Sequence, residues 1–305
     1  MVKIKKAQLA GSWYSGRPDS LKKEIDTCFT NKDFGPGEPF ECLNKENREI
    51  IGGVSGHAGF SFSGPCAAFT YLNLFKEKIP DTVIVIGFHH RESYGNVFLE
   101  SGEWETPLGN LTIDDELGKK LSLGSKLLKS DEQAFLRSKE NSVELQMPFI
   151  KYCAGESDVK ILPIKIQSHD FTTLESIAED VSTAIKATDK DVIIVASSDM
   201  SHYNVFEDEQ LETLKEIDRR VIEQFLDLNA NNVLNPSQVI DQKLYDQFDH
   251  PGSSVCGVHT MTTLILICKK LNATRTEYLK YYCSKDISPG GGAWTVGYFS
   301  GIILK

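Results

Sequence analysis

Residues 82–90 read TVIVIGFHH. The run from Thr82 to Gly87 is β-branched and apolar without alternation, which predicts a strand buried on both faces, as in the middle of a parallel sheet. Two histidines, His89 and His90, follow its end. The arrangement recurs on either side. GVSGHAG (53–59) closes a strand expected over Glu49–Val54 and delivers His57, and VIIVASSDMSH (192–202) closes a strand over Asp191–Ser197 and delivers Asp199 and His202. In open α/β sheets ligands bind in the crevice beyond the carboxyl ends of strands, so these imidazoles are expected along one rim. Any one of them alone reads as a loop or core histidine; their shared position points to a site. Gly56 and Gly59 beside His57 remove side chains that would crowd the ring and suggest access rather than packing.

Further strands are expected at Asn96–Glu100, Val159–Ile166, Tyr278–Cys283 and Trp294–Ile303. Helical periodicity marks Pro18–Phe29, Pro65–Phe75, Asp114–Leu121, Ser142–Cys153, Leu174–Ala187, Glu207–Leu228, Pro236–Phe248 and Cys256–Leu271. In Glu207–Leu228, Leu211, Leu214, Ile217, Val221 and Phe225 form one apolar stripe on a charged helix, while Cys256–Leu271 is apolar nearly all round and should be central. This alternation predicts an α/β fold: one domain over residues 1–305, with a central mixed, largely parallel sheet flanked by helices. The Gly/Pro-rich stretches FGPGEP (34–39) and SPGGGA (288–293) are short and read as turns.

Composition narrows the partners. The 305 residues are 40% hydrophobic and carry a formal net charge of −10, with no basic patch, so nucleic acid is not expected. TVIVIGF and LILIC fall far short of the roughly 18 apolar residues needed to cross a bilayer, so no membrane association is expected either. The amino terminus has lysines but no apolar region behind them. Seven cysteines, irregularly spaced and without a C-x-x-C pair, speak against a disulfide framework and for a reducing cytoplasm. Six of them read as small buried residues.

The seventh, Cys256, is expected to open a helix, where the positive end of the dipole lowers a thiol pKa; it reads as a ligand or a nucleophile. His259, one turn on, reads as a neighbour at most. Glu140, Asn141 and Glu144 straddle a helix start, where capping is the plain alternative. Ser197, Ser198, Asp199 and His202 also invite a hydrolase reading, but no G-x-S-x-G elbow is present and three of them crowd too close in sequence for a long-range triad.

AGSWYSG (10–16), GHAGFSFSGPCAA (56–68), GFHH (87–90), ETPLGN (105–110), ENSVELQMPF (140–149), SSDMSHY (197–203) and SVCGVH (254–259) resemble, in order, the sequence blocks of the Memo family. The likeness runs from about residue 7 to about residue 303. It implies a fold similar to class III extradiol dioxygenases of the ligB type, with two histidines and a cysteine where those enzymes hold iron by two histidines and a glutamate. Carried over by position, the metal ligands are His57, His90 and Cys256, and His202 takes the place of an acid/base residue, oriented by Asp199. His89, Glu140, Asn141 and His259 fall around the same pocket. The resemblance also implies copper or iron as cofactor, redox chemistry, and a phosphotyrosine-peptide role attached to the human member. The chain departs from the family pattern at Gly56, where a proline is usual, at Phe60 for a tyrosine, and at Asn141 for a histidine.

Two imidazoles and a thiolate suit soft or borderline metals such as copper(I) and zinc over magnesium or calcium. For iron and oxygen the common facial set has a carboxylate instead, so a dioxygenase fold does not by itself mean dioxygenase activity. Three functions are therefore expected to compete. The first is a metal-dependent redox pocket acting on a small molecule or peptide. The second is a binding module for a phosphotyrosine peptide or small anion, and the third a metal-free thiol or hydrolytic enzyme using Cys256.

Overall fold

The computed structural model describes residues 3–91, 93–248 and 255–305. The chain opens with β1 (Ile4–Lys5) and α1 (Pro18–Thr30), then runs β2 (Ile50–Ser55), α2 (Phe60–Lys76) and β3 (Thr82–Phe88). Short pieces follow: β4 (Val97–Phe98), β5 (Glu103–Trp104), β6 (Leu111–Thr112), α3 (Asp115–Gly124), β7 (Lys129–Ser130), α4 (Gln133–Leu136), α5 (Asn141–Glu144) and α6 (Met147–Ala154). Next come β8 (Lys160–Ile166), α7 (Phe171–Lys186), β9 (Val192–Ser197), β10 (His202–Asn204), α8 (Asp208–Leu226) and α9 (Ala230–Leu234). The chain ends with α10 (Gln242–Tyr245), α11 (Val258–Lys270), β11 (Arg275–Cys283), α12 (Ser284–Ile287) and β12 (Trp294–Leu304).

Among the described residues nine strands form the main sheet in the order β10, β12, β2, β9, β3, β8, β4, β7, with β11 beside β12 on the same edge as β10, opposite β2. The centre, β2, β9, β3 and β8, is parallel, and β12 runs antiparallel to β2, β10 and β11. Central strands are buried on both faces, as their unbroken apolar runs require. Neighbouring residues of β2 show what covers each face. A side chain on Gly53 would meet Thr70 of α2, and one on Gly52 would meet Leu264 and Cys268 of α11. Successive residues of a strand point to opposite faces, so α2 and α11 cover opposite sides of the sheet. The architecture is therefore the expected single α/β domain with a mixed, largely parallel sheet. A three-stranded sheet of β1, β5 and β6 sits apart from it.

Several boundaries differ from the sequence expectation. Helix α2 starts at Phe60, not Pro65; it tolerates that proline inside its body because tertiary packing of an almost wholly buried helix outweighs one lost hydrogen bond. The helix expected over Ser142–Cys153 is two, α5 and α6, broken at Leu145 and Gln146 with Pro148 in the first turn of the second. Asn96–Glu100 contributes only Val97 and Phe98 to the sheet. The helix expected over Pro236–Phe248 is a 3₁₀ turn at Pro236–Gln238 and the single turn α10, and the preceding α9 was hidden by its asparagines, residues that favour caps and turns. The HPGS stretch that leads to Val255 lies outside the described residues. Helix α11 starts at Val258, so Cys256 precedes it.

Candidate metal centre

Three adjacent parallel strands end at one rim. Past β2 comes His57, past β3 come His89 and His90, and past β9 come Asp199 and His202. Cys256 joins them from the segment before α11. Ligand-type atoms of His57, His90 and Cys256 all lie within 4.8 Å of one another. His57 Nε2 stands 3.4 Å from Cys256 Sγ. The two imidazoles meet edge to face with ring centroids 5.2 Å apart, and Phe88 packs against both.

Each histidine is gripped through Nδ1. Glu140 Oε1 lies 2.6 Å from His90 Nδ1, and its other oxygen accepts the His90 backbone N–H. The Ser197 hydroxyl lies 2.8 Å from His57 Nδ1. Ser197 is in turn bonded to Gln146 Nε2 at 3.0 Å, which also donates to the Gly56 carbonyl, while the Gln146 carbonyl accepts from Tyr71. Asn141 donates to the His57 carbonyl, and Ser142 clasps both backbone groups of Phe88. The seven residues from Glu140 to Gln146 therefore tie down the ends of β2, β3 and β9 together. Glu140 itself caps α5 by accepting from Ser142 N–H, so capping and the hold on His90 are one arrangement.

Asp199 is the anionic hub. Its Oδ1 accepts the His57 backbone N–H at 2.8 Å, and its Oδ2 stands 3.8 Å from His57 Nε2 and 3.9 Å from His202 Nε2. A side chain on Gly56 would come within 2.9 Å of that carboxylate. The glycine before His57 thus makes room for Asp199, not access for the ring, and His57 is only 1% exposed.

Burial works against charge on most of these groups. It lowers the His57 pKa, aided by neighbouring His90 and opposed by Glu140, to about 3. It lowers His202 as well, with Asp199 pulling upward, and it raises Asp199 against His202 and the backbone N–H groups. Glu140 goes the other way: burial raises it, but hydrogen bonds and charge from His90 outweigh that and hold it at about 2. Cys256 corrects the sequence reading. Its thiol is pushed well above the ordinary range, first by burial and then by Asp199, because it stands ahead of the helix and beside a carboxylate.

Above this cluster opens a cleft of about 920 Å³, bordered by His57, His90, Asp199 and His202, by aromatic Trp13, Phe62, Trp294 and Tyr298, and by cationic Arg91, Lys139 and Lys285. Glu140 and Asn141 also border it. His89 is buried against Tyr94, and His259 is buried against Phe88 and His169; neither reaches the cleft wall. Ser197 and Ser198 are buried and spent on other hydrogen bonds, Ser197 with His57 and Gln146, so neither serine pairs with His202, whose partner is Asp199. Of the six cysteines expected to be buried, Cys42 is partly exposed. Sequence reasoning gave no role to Gln146 or Phe88. A polar residue among apolar ones in VELQMPF was the available signal for Gln146.

The structure superposes on the crystal structure of an uncharacterized protein from Escherichia coli K12 with a TM-score of 0.51 at 11% identity, covering 84% of this chain and 100% of the other, which speaks for the fold alone. A MEMO1 family protein of Sulfurisphaera tokodaii is 36% identical over 300 residues, 97% of this chain and 98% of that protein. A MEMO1 family protein of Desulfurococcus amylolyticus is 35% identical over 291 residues, 95% of each. The family model described as Memo-like protein matches residues 5–302, and the chain belongs to the Memo family.

Proposed function

We propose that His57, His90 and Cys256 hold a redox-active copper or iron ion at the floor of the cleft, and that the protein acts there on a small molecule or peptide. The observation that carries this reading is the donor set. Two ligands at Zn-like distances of about 2.0 and 2.3 Å in a tetrahedral site stand about 3.5 Å apart, and His57 Nε2 and Cys256 Sγ are 3.4 Å apart. His90 is oriented through Nδ1 by the Glu140 carboxylate, the arrangement that metal-binding histidines use. A bound copper or iron ion would supply Lewis acidity and one-electron chemistry.

The chain's own groups supply the rest. Neutral His202 is a proton acceptor at Nε2, and Asp199 stabilises the imidazolium that results. Glu140 stays ionised and offsets positive charge near His90. Phe88 and the buried rim exclude water from the rear of the site. Elemental analysis of protein purified without a chelating tag tests the reading. Cys256→Ser is expected to lose most of the copper or iron that the parent protein carries, and unchanged stoichiometry would sink the proposal.

One observation favours a second reading, a binding module without turnover. Arg91, Lys139 and Lys285 border the cleft in a chain of net charge −10, beside Trp13 and Trp294. That wall suits an anionic ligand with a flat ring, such as a phosphotyrosine peptide. Calorimetry with and without chelator separates the two readings, because only the first needs metal for its activity.

A further inference from the structure

The hydrogen bonds around Ser197 have a direction. Among the described residues its hydroxyl oxygen has two partners, Gln146 Nε2 at 3.0 Å and His57 Nδ1 at 2.8 Å. The Gln146 amide cannot be turned over, because its nitrogen faces the Gly56 carbonyl and its oxygen accepts from Tyr71, and a carbonyl can only accept. Gln146 therefore donates to Ser197. The single Ser197 proton is left with one acceptor, His57 Nδ1, in a site where Ser197, His57 and Gln146 are at most 1% exposed and an unpaired hydroxyl proton is costly. A neutral imidazole that accepts at Nδ1 carries its proton on Nε2, the nitrogen 3.4 Å from Cys256 Sγ.

We propose that Gln146, acting through the Ser197 hydroxyl, is a positioning residue that sets His57 to the Nε2–H tautomer and thereby weighs against metal capture at that nitrogen. The second half of this inference rests on the metal-centre reading above; the first does not. To ligate through Nε2, His57 must move its proton to Nδ1 and donate to Ser197, whose own proton then has no acceptor. The proton count on the imidazole is unchanged. The cost is one stranded buried hydroxyl proton. The broken helix explains how Gln146 comes to act here: at the step between α5 and α6 its side chain reaches the sheet instead of following a continuous helical face.

The isosteric Gln146→Glu places an acceptor where the amide donates, so Ser197 can turn its proton to residue 146 and receive one from His57 Nδ1. Gln146→Leu removes the donor but offers Ser197 no new acceptor, so the tautomer should stay as in the parent. A merely structural role would disturb both variants alike. The test is ¹⁵N NMR of histidine-labelled protein stripped of metal, with the His57 signals assigned by their loss in His57→Gln. It is followed by Zn(II) titration of each folded variant.

The parent and Gln146→Leu are expected to show Nε2–H, and Gln146→Glu is expected to show Nδ1–H with Zn(II) binding about tenfold tighter. An Nδ1–H signal in the parent overturns the proposal even if Gln146→Glu fails to fold. So does a folded Gln146→Glu with the parent tautomer. A switched tautomer with unchanged Zn(II) affinity overturns the claim that Gln146 weighs against capture. If the tautomer switches but neither protein binds Zn(II) or copper, the positioning role stands and the metal-centre reading falls.

Discussion

The two ends of the parallel strands solve the same problem in opposite ways. At the amino ends, buried charges are matched by opposite charge. Arg48 binds both oxygens of Asp191 at 2.9 Å and donates to the carbonyls of Leu74 and Lys78, while buried Asp114 accepts from Lys190, Thr82 and the Leu117 backbone. Burial raises Asp114, but those partners outweigh it and its pKa is lowered. At the carboxyl ends burial works against charge at four groups instead: His57 and His202 are lowered, and Cys256 and Asp199 are raised, while Glu140 alone is held down by His90. One end spends its polar groups on holding the sheet together. The other keeps lone pairs and protons in reserve, as a binding site must.

Breaking the amino end should therefore cost the most stability and touch the site least. Arg48→Ala takes the bidentate donor from Asp191, leaving it Lys78 at 3.6 Å, and strips two carbonyls of theirs in a place where the arginine side chain is 4% exposed. The expected loss is about 3–5 kcal/mol by urea denaturation. Metal binding per folded molecule should not change. If the loss is under about 1 kcal/mol, the contrast between the two ends is not one of charge matching.

A third buried carboxylate sharpens the contrast through pH. Asp218 on α8 accepts from the Ser201 backbone and the Tyr281 hydroxyl, and so anchors the loop that carries Asp199 and His202. It has no cation. Burial raises its pKa, against those hydrogen bonds, to about 7. Between the ordinary 3.8 and that value the folded chain holds a proton that the unfolded chain has released. Stability from this group is thus full below the lower value and falls as pH rises through the upper one. The expected fall is a few kcal/mol between about pH 4 and about pH 8, and Asp218→Asn should flatten it. Loss of stability on acidification through the same window, removed by the same substitution, would reverse the assignment.

How much of this was legible in the sequence follows from what each feature depends on. Strand ends such as TVIVIGFHH announce themselves, because double burial demands unbroken apolar runs and the residues just past them must face the crevice. The convergence of His57 and His90 followed from that logic; Cys256 stood out as a cysteine at an expected helix start, and the resemblance joined it to the two histidines. The break at Leu145–Gln146 was only half legible: Pro148 cannot bond the Glu144 carbonyl and so opposes a continuous helix, but the packing of Glu140, Ser142 and Gln146 against the ends of β2, β3 and β9 does not show in the helical period of either half. The thiol of Cys256 was misjudged for a related reason. Whether a helix end or a carboxylate dominates depends on Asp199, 57 positions away in the chain.

The join between α5 and the sheet is the next place to press. Gly87 leaves no room for a side chain: a Cβ there would lie 2.6 Å from Ser142 Oγ and from Val143 Cγ2. Gly87→Ala should cost about 1–3 kcal/mol by overpacking. Because it pushes α5 away from β3, it should also loosen the grip of Glu140 on His90 and weaken Zn(II) binding. A stability loss without any change in affinity would show that His90 is held by Phe88 rather than Glu140.

The smallest effect on stability is expected at the hub of the carboxyl end. Asp199→Asn keeps an acceptor for the His57 backbone N–H and removes a charge that burial disfavours, so folding should change by less than about 1 kcal/mol. Its effect on His202 should be plain all the same. Asp199 is what raises the His202 pKa against burial, and with the charge gone the imidazole should titrate lower than in the parent, as followed by NMR of labelled histidine. A neutral His202 without its anionic neighbour accepts a proton less readily, so any proton-transfer step that uses it should slow while the proposed ligands His57, His90 and Cys256 stay in place. If His202 instead titrates as before, the 3.9 Å approach of Asp199 is incidental, and the division between a charge-matched amino end and a poised carboxyl end loses its acid/base member.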